Sequence, residues 1–286
     1  MPRTTQEQQA TVFRALHARG CFVVANPWNR GSARLFESLG FQALATTSAG
    51  LAFDAGREDS VAIGFDATLS NARDIIEATP LPVTVDLQSG YASSLEGLAN
   101  NVTRCVAAGA SGLSIEDATG DPAHPLYPLD EAVERVRVAR DAIRKSGHDA
   151  LLTGRAECFL VGEPNPLPAA IERLVAYADA GADCLYAPGL RSVDEVQAVV
   201  DAVAPKPVNV LVGGQGWMTL SALEDIGVRR ISVGSALARV AWGAVVRVAT
   251  QVANEGVFEG LREAEPYNRL NTLFADPPDS GSDPSG

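Results

Sequence analysis

The sequence predicts an α/β fold closed into a (β/α)8 TIM barrel, on three observations. Short β-rich runs alternate with amphipathic helical stretches along the whole 286 residues, in units of about 30 residues, the length of a strand–helix–strand repeat. The strand candidates are apolar without alternation, as strands buried on both faces are. Gly109, Gly181 and Gly227 each follow a helix and precede a strand, the place where a glycine ends a helix. An open doubly wound sheet would want a glycine-rich phosphate turn after its first strand. Here that turn reads Asn26-Pro-Trp-Asn-Arg-Gly31, so a parallel barrel is the expected closure.

The first strand is expected at Cys21–Ala25, followed by Asn26-Pro27 and a helix over Ser32–Leu39 that Gly40 stops. Phe41–Ala45 is the second strand and leads into Thr46-Thr-Ser-Ala-Gly50; a polar loop through Arg57-Glu-Asp-Ser60 precedes a helix around Ala67–Ala78. The third strand, Pro82–Asp86, is followed by the helix Leu95–Ala108. The fourth, Gly112–Glu116, is followed by a Pro-containing loop and the helix Asp130–Lys145. The second half repeats the pattern with strands Ala150–Arg155, Cys184–Ala187, Val208–Val212 and Arg230–Val233. Its helices are Pro168–Ala180, Val193–Val203, Leu220–Ile226 and a long one, Ala236–Val252, apolar on so much of its surface that a partner is expected to cover it. Residues 1–265 are expected to form one barrel domain with C-terminal helices, and 266–286 an extension ending in a disordered Pro/Gly/Ser/Asp tail from Phe274 onward.

With 23 basic and 35 acidic residues the net charge is −12, which repels nucleic acid and anionic membranes, so neither is an expected partner. No apolar run approaches the roughly 20 residues that span a bilayer, and the first residues lack the apolar core of a signal peptide; a cytoplasmic location is expected. Cys21, Cys105, Cys158 and Cys184 are far apart and form no CxxC pair, so they read as reduced thiols. Lysine occurs only at Lys145 and Lys206, which leaves few candidates for lysine chemistry.

In a (β/α)8 barrel the chemistry sits where strands end. The expected strand ends collect Asn26, Ser48-Ala49-Gly50, Asp86 with Gln88, Glu116-Asp117, and Arg155 with Glu157; Asn209 lies in the seventh strand. Acidic residues thus end three strands in succession beside one arginine. Carboxylates converging on one mouth repel each other unless a cation sits among them. Oxygen ligands without histidine suit Mg²⁺ or Mn²⁺ better than zinc. Taken singly, Asp86 or Glu116 also reads as a helix cap, and Arg155 as a structural counter-ion; together Asp86, Glu116 and Glu157 favour a metal or charged-substrate site. His17, His124 and His148 are expected at the surface, and Cys158 as an unactivated thiol behind the site. Gly213-Gly214 and Gly234-Ser235 follow the last two strands, where many barrels hold a phosphate.

Five ordered motifs carry a family resemblance: Asn26-Pro-Trp, Ala45-Thr-Thr-Ser-Ala-Gly-Leu51, Asp86-Leu-Gln-Ser-Gly-Tyr91, Ser114-Ile-Glu-Asp117 and Gly154-Arg-Ala-Glu157. From about residue 10 to 265 the chain resembles the isocitrate lyase/phosphoenolpyruvate mutase superfamily, in its phosphonomutase-like (carboxyvinyl-carboxyphosphonate phosphorylmutase-like) branch. The resemblance implies a barrel that exchanges its last helix with a neighbour in a homodimer or homotetramer. It also implies one Mg²⁺ (or Mn²⁺) that holds the 2-oxo-carboxylate end of a small substrate, with Asp86 as direct ligand and Asp59, Gln88 and Glu116 on the metal's waters. By the same resemblance Ser48, Ala49 and Gly50 offer backbone N–H groups to the substrate carboxylate, and Arg155 steadies the enolate oxygen. Asp86, Glu116 and Arg155 are then the catalytic set, and Ser48, Ala49, Gly50, Arg155 and Asn209 the substrate contacts.

Two departures narrow the chemistry. Gln88 stands where the family usually has a second acid. The loop Glu116–Tyr127 carries neither the Lys-Lys/Arg-Cys-Gly-His motif of isocitrate and methylisocitrate lyases nor the lysine-bearing lid of the mutases. The expected activity is a Mg²⁺-dependent lyase that cleaves a C–C bond of a small 2-oxo or 2-hydroxy dicarboxylate, as an oxaloacetate decarboxylase or malate-type lyase does, through a metal-bound pyruvate-type enolate. Its alternatives are a phosphonopyruvate-type P–C bond enzyme and a catalytically silent barrel that binds small carboxylates.

Overall fold

A computed structural model describes residues 4–59, 63–214 and 218–275. Eight parallel strands close in sequence order, the last pairing with the first: β1 Phe22–Ala25, β2 Ala43–Ala45, β3 Val83–Asp86, β4 Gly112–Glu116, β5 Leu151–Arg155, β6 Cys184–Tyr186, β7 Val208–Leu211 and β8 Arg230–Ser232. The helices in chain order are α1 Gln6–Ala18, α2 Arg30–Ser38, α3 Ser48–Asp54, α4 Phe65–Ala78, α5 Leu95–Ala107, α6 Leu129–Lys145, α7 Pro166–Asp179, α8 Val193–Val203, α9 Leu220–Asp225, α10 Ala236–Glu255 and α11 Tyr267–Phe274. This is the (β/α)8 barrel expected from the sequence. Most expected strands begin or end one or two residues too far out, because the apolar run continues past the last ladder hydrogen bond.

The barrel register sorts each strand's side chains into two sets. Outward-facing Leu113, Ile115, Leu152, Leu185, Val208, Val210 and Ile231 join the main core beneath the helices. Inward-facing Thr84, Ser114, Thr153, Asn209 and Ser232 make a polar inner wall, in which Ser114 and Thr153 are cross-strand partners and Asn209 pairs with Tyr186 and Arg230. A cavity of about 270 Å³ runs down this wall, so the usual layers of branched apolar side chains do not fill this barrel's upper half.

Beside the short α3 Ser48–Asp54, two helices near the chain ends were not legible in the sequence. α1 is polar on most of its surface, yet it closes the foot of the barrel: Thr5 and Gln8 form a reciprocal cap, and Gln6 and Gln9 donate to the carbonyls of Val106 and Pro80. Its Phe13 sits fully buried among Phe22, Val24, Ala43, Ala45 and Leu151. Gly112 permits this, since a Cβ there would lie 2.9 Å from the Phe13 ring and 3.1 Å from the Leu151 carbonyl. α11 occupies part of the expected extension and lies on α2, where Arg34 donates to the Phe274 carbonyl at 3.0 Å. The expected disordered tail lies, from residue 276 on, outside the described residues. No described helix is long and apolar enough to cross a membrane.

His17 corrects an expectation. It is 7% exposed, wedged edge-on between Phe13 and Phe22 with ring centroids 4.7 and 5.0 Å away. Its Nδ1–H donates to the Phe13 carbonyl at 2.7 Å, which leaves Nε2 bare to accept an N–H of Arg230 at 3.3 Å. Burial, then the Arg230 charge, push its pKa down to about 3. The folded value lies below the ordinary 6.5, so the contribution is complete above pH 6.5 and is lost as pH falls towards 3. The stability difference between the wild type and His17→Gln should therefore drop by about 1.4 kcal/mol per pH unit below 6.5. Urea titrations from pH 7 to 4.5 measure it, and a pH-independent difference would refute the neutral-histidine assignment.

Candidate active site

The mouth of the cavity is built from the carboxyl ends of β2 to β5. Thr46 Oγ1 accepts the Asp86 N–H at 2.9 Å and locks the end of β3 to β2. The Asp86 carboxylate is touched only at a distance, by the N–H groups of Ser48 (3.3 Å) and Gln88 (3.4 Å) and by Arg155 Nη1 (3.5 Å). The chain leaves Asp86 through a tight turn in which Gln88 and Tyr91 take left-handed φ of 47° and 54°. Gly90 is obligatory in it, since a Cβ there would meet Leu98 Cδ1 at 2.1 Å. Arg135, buried in α6, holds the turn by donating to the Ser89 and Ala92 carbonyls.

Arg155 is the electrostatic centre. Its Nη1 is 3.0 Å from Glu116 and its Nε binds Glu157, while its guanidinium lies 5.3 Å from the Tyr186 ring centroid. Burial, with Glu157 and Asp86 adding to it against Arg155, pushes Glu116 up to about 8. Burial likewise raises Glu157. At the exposed rim, burial and the Asp86 charge raise Asp59. Although burial opposes its charge, Glu116, Glu157 and Asp86 hold Arg155 protonated far above any working pH. Three carboxylates, Asp86, Glu116 and Glu157, thus share one guanidinium, with Asp59 at the rim nearby.

The expected site residues separate into groups. Asp59, Asp86, Ser48, Ala49, Arg155 and Asn209 line the cavity; Gln88 sits beside Asp59, Ser48 and Tyr91 in an adjoining recess of about 10 Å³, roughly one water. Ser48, Ala49 and Gly50 begin α3, a helix for which the sequence raised no expectation. Thr47 Oγ1 accepts the Gly50 N–H at 3.2 Å and Asp86 takes that of Ser48, so the Ala49 N–H is the one of the three with no protein partner among the described residues. The Asn209 amide accepts from Arg230 Nε at 2.8 Å and donates to Ser232 at 2.9 Å.

Other candidates have structural work. Asp117 is buried and turned behind the mouth, accepting the Glu157 N–H (2.8 Å), the Tyr177 hydroxyl (2.6 Å) and Arg173 (3.0 Å). Asn26 Oδ1 accepts the N–H groups of Val233 and Gly234, both at 2.9 Å; this takes the Gly234 N–H that a phosphate would have needed. Burial pushes the Cys158 thiol up to about 11, an unreactive group as expected. His124 and His148 are exposed. Two cavity residues escaped sequence reading: Tyr186, and Arg230, a 4%-exposed cation whose hydrogen-bond partners His17, Asn209 and Thr153 are all neutral. The available signal was an inward position on an otherwise apolar strand.

The sequence model of the phosphoenolpyruvate phosphomutase family matches residues 13–253. The chain is 30% identical over 244 residues, 82% of each protein, to an oxaloacetate decarboxylase of Chromohalobacter salexigens. Among solved structures, a Burkholderia cenocepacia J2315 protein classed provisionally as a lyase/mutase superposes with a TM-score of 0.91 at 46% identity, over 95% of this chain and 97% of that one. An oxaloacetate acetylhydrolase in complex with its product oxalate superposes with a TM-score of 0.84 at 25% identity, over 94% of each.

Proposed function

The chain belongs to the phosphoenolpyruvate phosphomutase family and is an enzyme of the isocitrate lyase/phosphoenolpyruvate mutase type; from that premise we propose a Mg²⁺- or Mn²⁺-dependent lyase that cleaves a C–C bond of a small 2-oxo or 2-hydroxy dicarboxylate. The observation that carries this reading is the set of three carboxylates on Arg155, one of which, Asp86, lines a polar cavity together with Arg155 and Asp59. No residue of the β4–α6 loop lines that cavity, which favours a cleavage needing no acid from that loop.

The donor set fits a hard divalent cation: it is all oxygen, its negative charge exceeds that of its one arginine, and the Asp86 oxygens are only loosely engaged. Asp86 would hold the cation directly and Asp59, Gln88 and Glu116 through its waters, and it would there supply positive charge to the oxygens of a 2-oxo acid. The Ala49 N–H is free for the substrate carboxylate. The Arg155 guanidinium, fixed by Glu116 and Glu157 and lining the cavity, would meet a developing enolate oxygen without reorganisation.

Calorimetric titration with oxalate, a mimic of the pyruvate enolate, tests the reading. Binding should appear with Mg²⁺ and vanish in EDTA. Equal binding in both would remove the metal, and none in either would remove the enolate site. Release of phosphate from phosphonopyruvate, with no pyruvate from dicarboxylates, would select P–C chemistry instead.

A homo-oligomer is supported by α10, of whose 20 residues one, Ala238, is buried. Trp242, Val245 and Val246 form an exposed apolar stripe, and further exposed apolar side chains follow at Phe258, Leu261 and Tyr267. A surface of this kind is stable when covered, which supports a homodimer or homotetramer with the C-terminal helices exchanged. The pair Trp242→Glu and Val246→Glu should reduce the mass measured by light scattering from two or four chains to one; an unchanged mass would place the interface elsewhere.

A further inference from the structure

Decarboxylation or retro-aldol cleavage leaves an enolate that must take up a proton, and the carboxylate cluster does not say from where. The geometry points to Tyr186 as the proton donor, facing a cavity that it shares with Ser232, the end of a polarised hydrogen-bond chain that begins at Arg230. This assignment rests on the enolate reading above. Tyr186 ends β6, lines the same cavity as Ser48, Asp86 and Arg155, and is the one phenol that does so among the described residues. Neither lysine, no cysteine and no histidine lines it.

The direction of the chain follows from what each group can do. A guanidinium only donates. Arg230 Nε donates to Asn209 Oδ1 at 2.8 Å, which orients the amide so that its Nδ2 donates to Ser232 Oγ at 2.9 Å. With that lone pair taken, the Ser232 hydroxyl has its own proton to give, and it lines the same cavity as Tyr186. The Tyr186 hydroxyl has no hydrogen-bond acceptor among the described residues, and the open space beside it is the cavity. Arg230 has no carboxylate partner among the described residues and is locked by His17 and Thr153 as well, so the sense of the chain is set by a fixed charge. Burial pushes Tyr186 up to about 12, in keeping with a group that carries its proton into each turnover.

For an oxaloacetate-type substrate the step balances as follows. The bond from C3 to the departing carboxylate breaks, CO₂ leaves, and the electron pair remains as the enolate. The Tyr186 O–H proton moves to C3, the carbonyl re-forms, and the phenolate left beside Arg155 and Ser232 is reprotonated by water entering at the mouth. Net, one substrate dianion and one solvent proton give one 2-oxo acid anion and CO₂. Tyr186 is thus a catalytic residue, and Ser232, Asn209 and Arg230 are positioning residues.

The test is stereochemical. The Mg²⁺-loaded enzyme turns over 3-methyloxaloacetate in D₂O, and the 2-oxobutyrate is trapped at once by reduction, so that the configuration at the CHD carbon is preserved. The wild type should give one configuration, because the deuteron comes from one face. Tyr186→Phe keeps the ring against Arg155 and should still bind oxalate with Mg²⁺, but the enolate escapes and the product becomes racemic, with turnover down by about a hundredfold or more. Ser232→Ala should lower the excess without abolishing it. A racemic wild-type product, or an undiminished excess in Tyr186→Phe, would overturn the assignment while leaving the enolate reading intact. No turnover together with no oxalate binding would remove both.

Discussion

Replacing Asp86 with alanine should lower turnover by roughly a thousandfold or more, about 4 kcal/mol of lost transition-state stabilisation, and should abolish the Mg²⁺-dependent part of oxalate binding. The size follows from the position of this carboxylate. It ends β3, is held from behind by Thr46, and keeps its oxygens engaged only by contacts of 3.3 to 3.5 Å. It is the group of the cluster best placed to hold a cation directly, and the one whose loss the other carboxylates do not replace. The metal-free fold should be nearly indifferent, since Asp86 contributes repulsion to both Glu116 and Asp59. Melting in EDTA should stay within about 1 kcal/mol of wild type, the scale of a weak ion pair. Activity within tenfold of wild type would remove Asp86 from this role.

Arg155→Met should damage both fold and activity. The guanidinium and its partners Glu116 and Glu157 are largely shielded from water, and removing one member of such a cluster leaves charge buried without compensation, at a cost of about 3–5 kcal/mol. The loss carries a pH signature. Glu116 and Glu157 already have raised folded values; without the arginine they rise further. A carboxyl group whose folded pKa lies above its unfolded one stabilises the fold below the unfolded value, and that contribution is lost as pH rises through the folded one. Urea titrations in EDTA should therefore find the variant's deficit large at pH 8 and reduced at pH 5. A deficit that is constant with pH would show that the methionine disturbs packing and not charge.

Architecture was legible because buried parallel strands and the glycines that end helices leave marks in the chain: the eight strands were found within a residue or two, and Gly109, Gly181 and Gly227 all take positive φ. The carboxylates and Arg155 were legible because strand ends are where charge is least expected. Three features were hidden for physical reasons. α1 buries Gln9 by bonding it to the Pro80 carbonyl, which hydrophobic periodicity does not register. α3 is short and holds a glycine, so its propensity is poor, and Thr47 supplies the cap that compensates. His17 and Arg230 lie 213 residues apart and are buried as a neutral acceptor and its donor, a pairing that no local pattern announces. Asn209 was found from its strand, but its orientation depends on Arg230 and became readable only in three dimensions.

The two-sided register of the barrel also bears on how such a chain can change. Apolar side chains on the outer face of the strands, packed under the helices, hold the protein together, whereas the inner wall is mostly small and hydroxylic above the plug at its foot. A substitution at Thr84, Ser114 or Ser232, which line the cavity, alters what it can recognise while leaving the outer core untouched. Heritable variation in substrate choice and heritable variation in folding are thus carried by alternate residues of the same strands, and selection can act on one set with little penalty in the other.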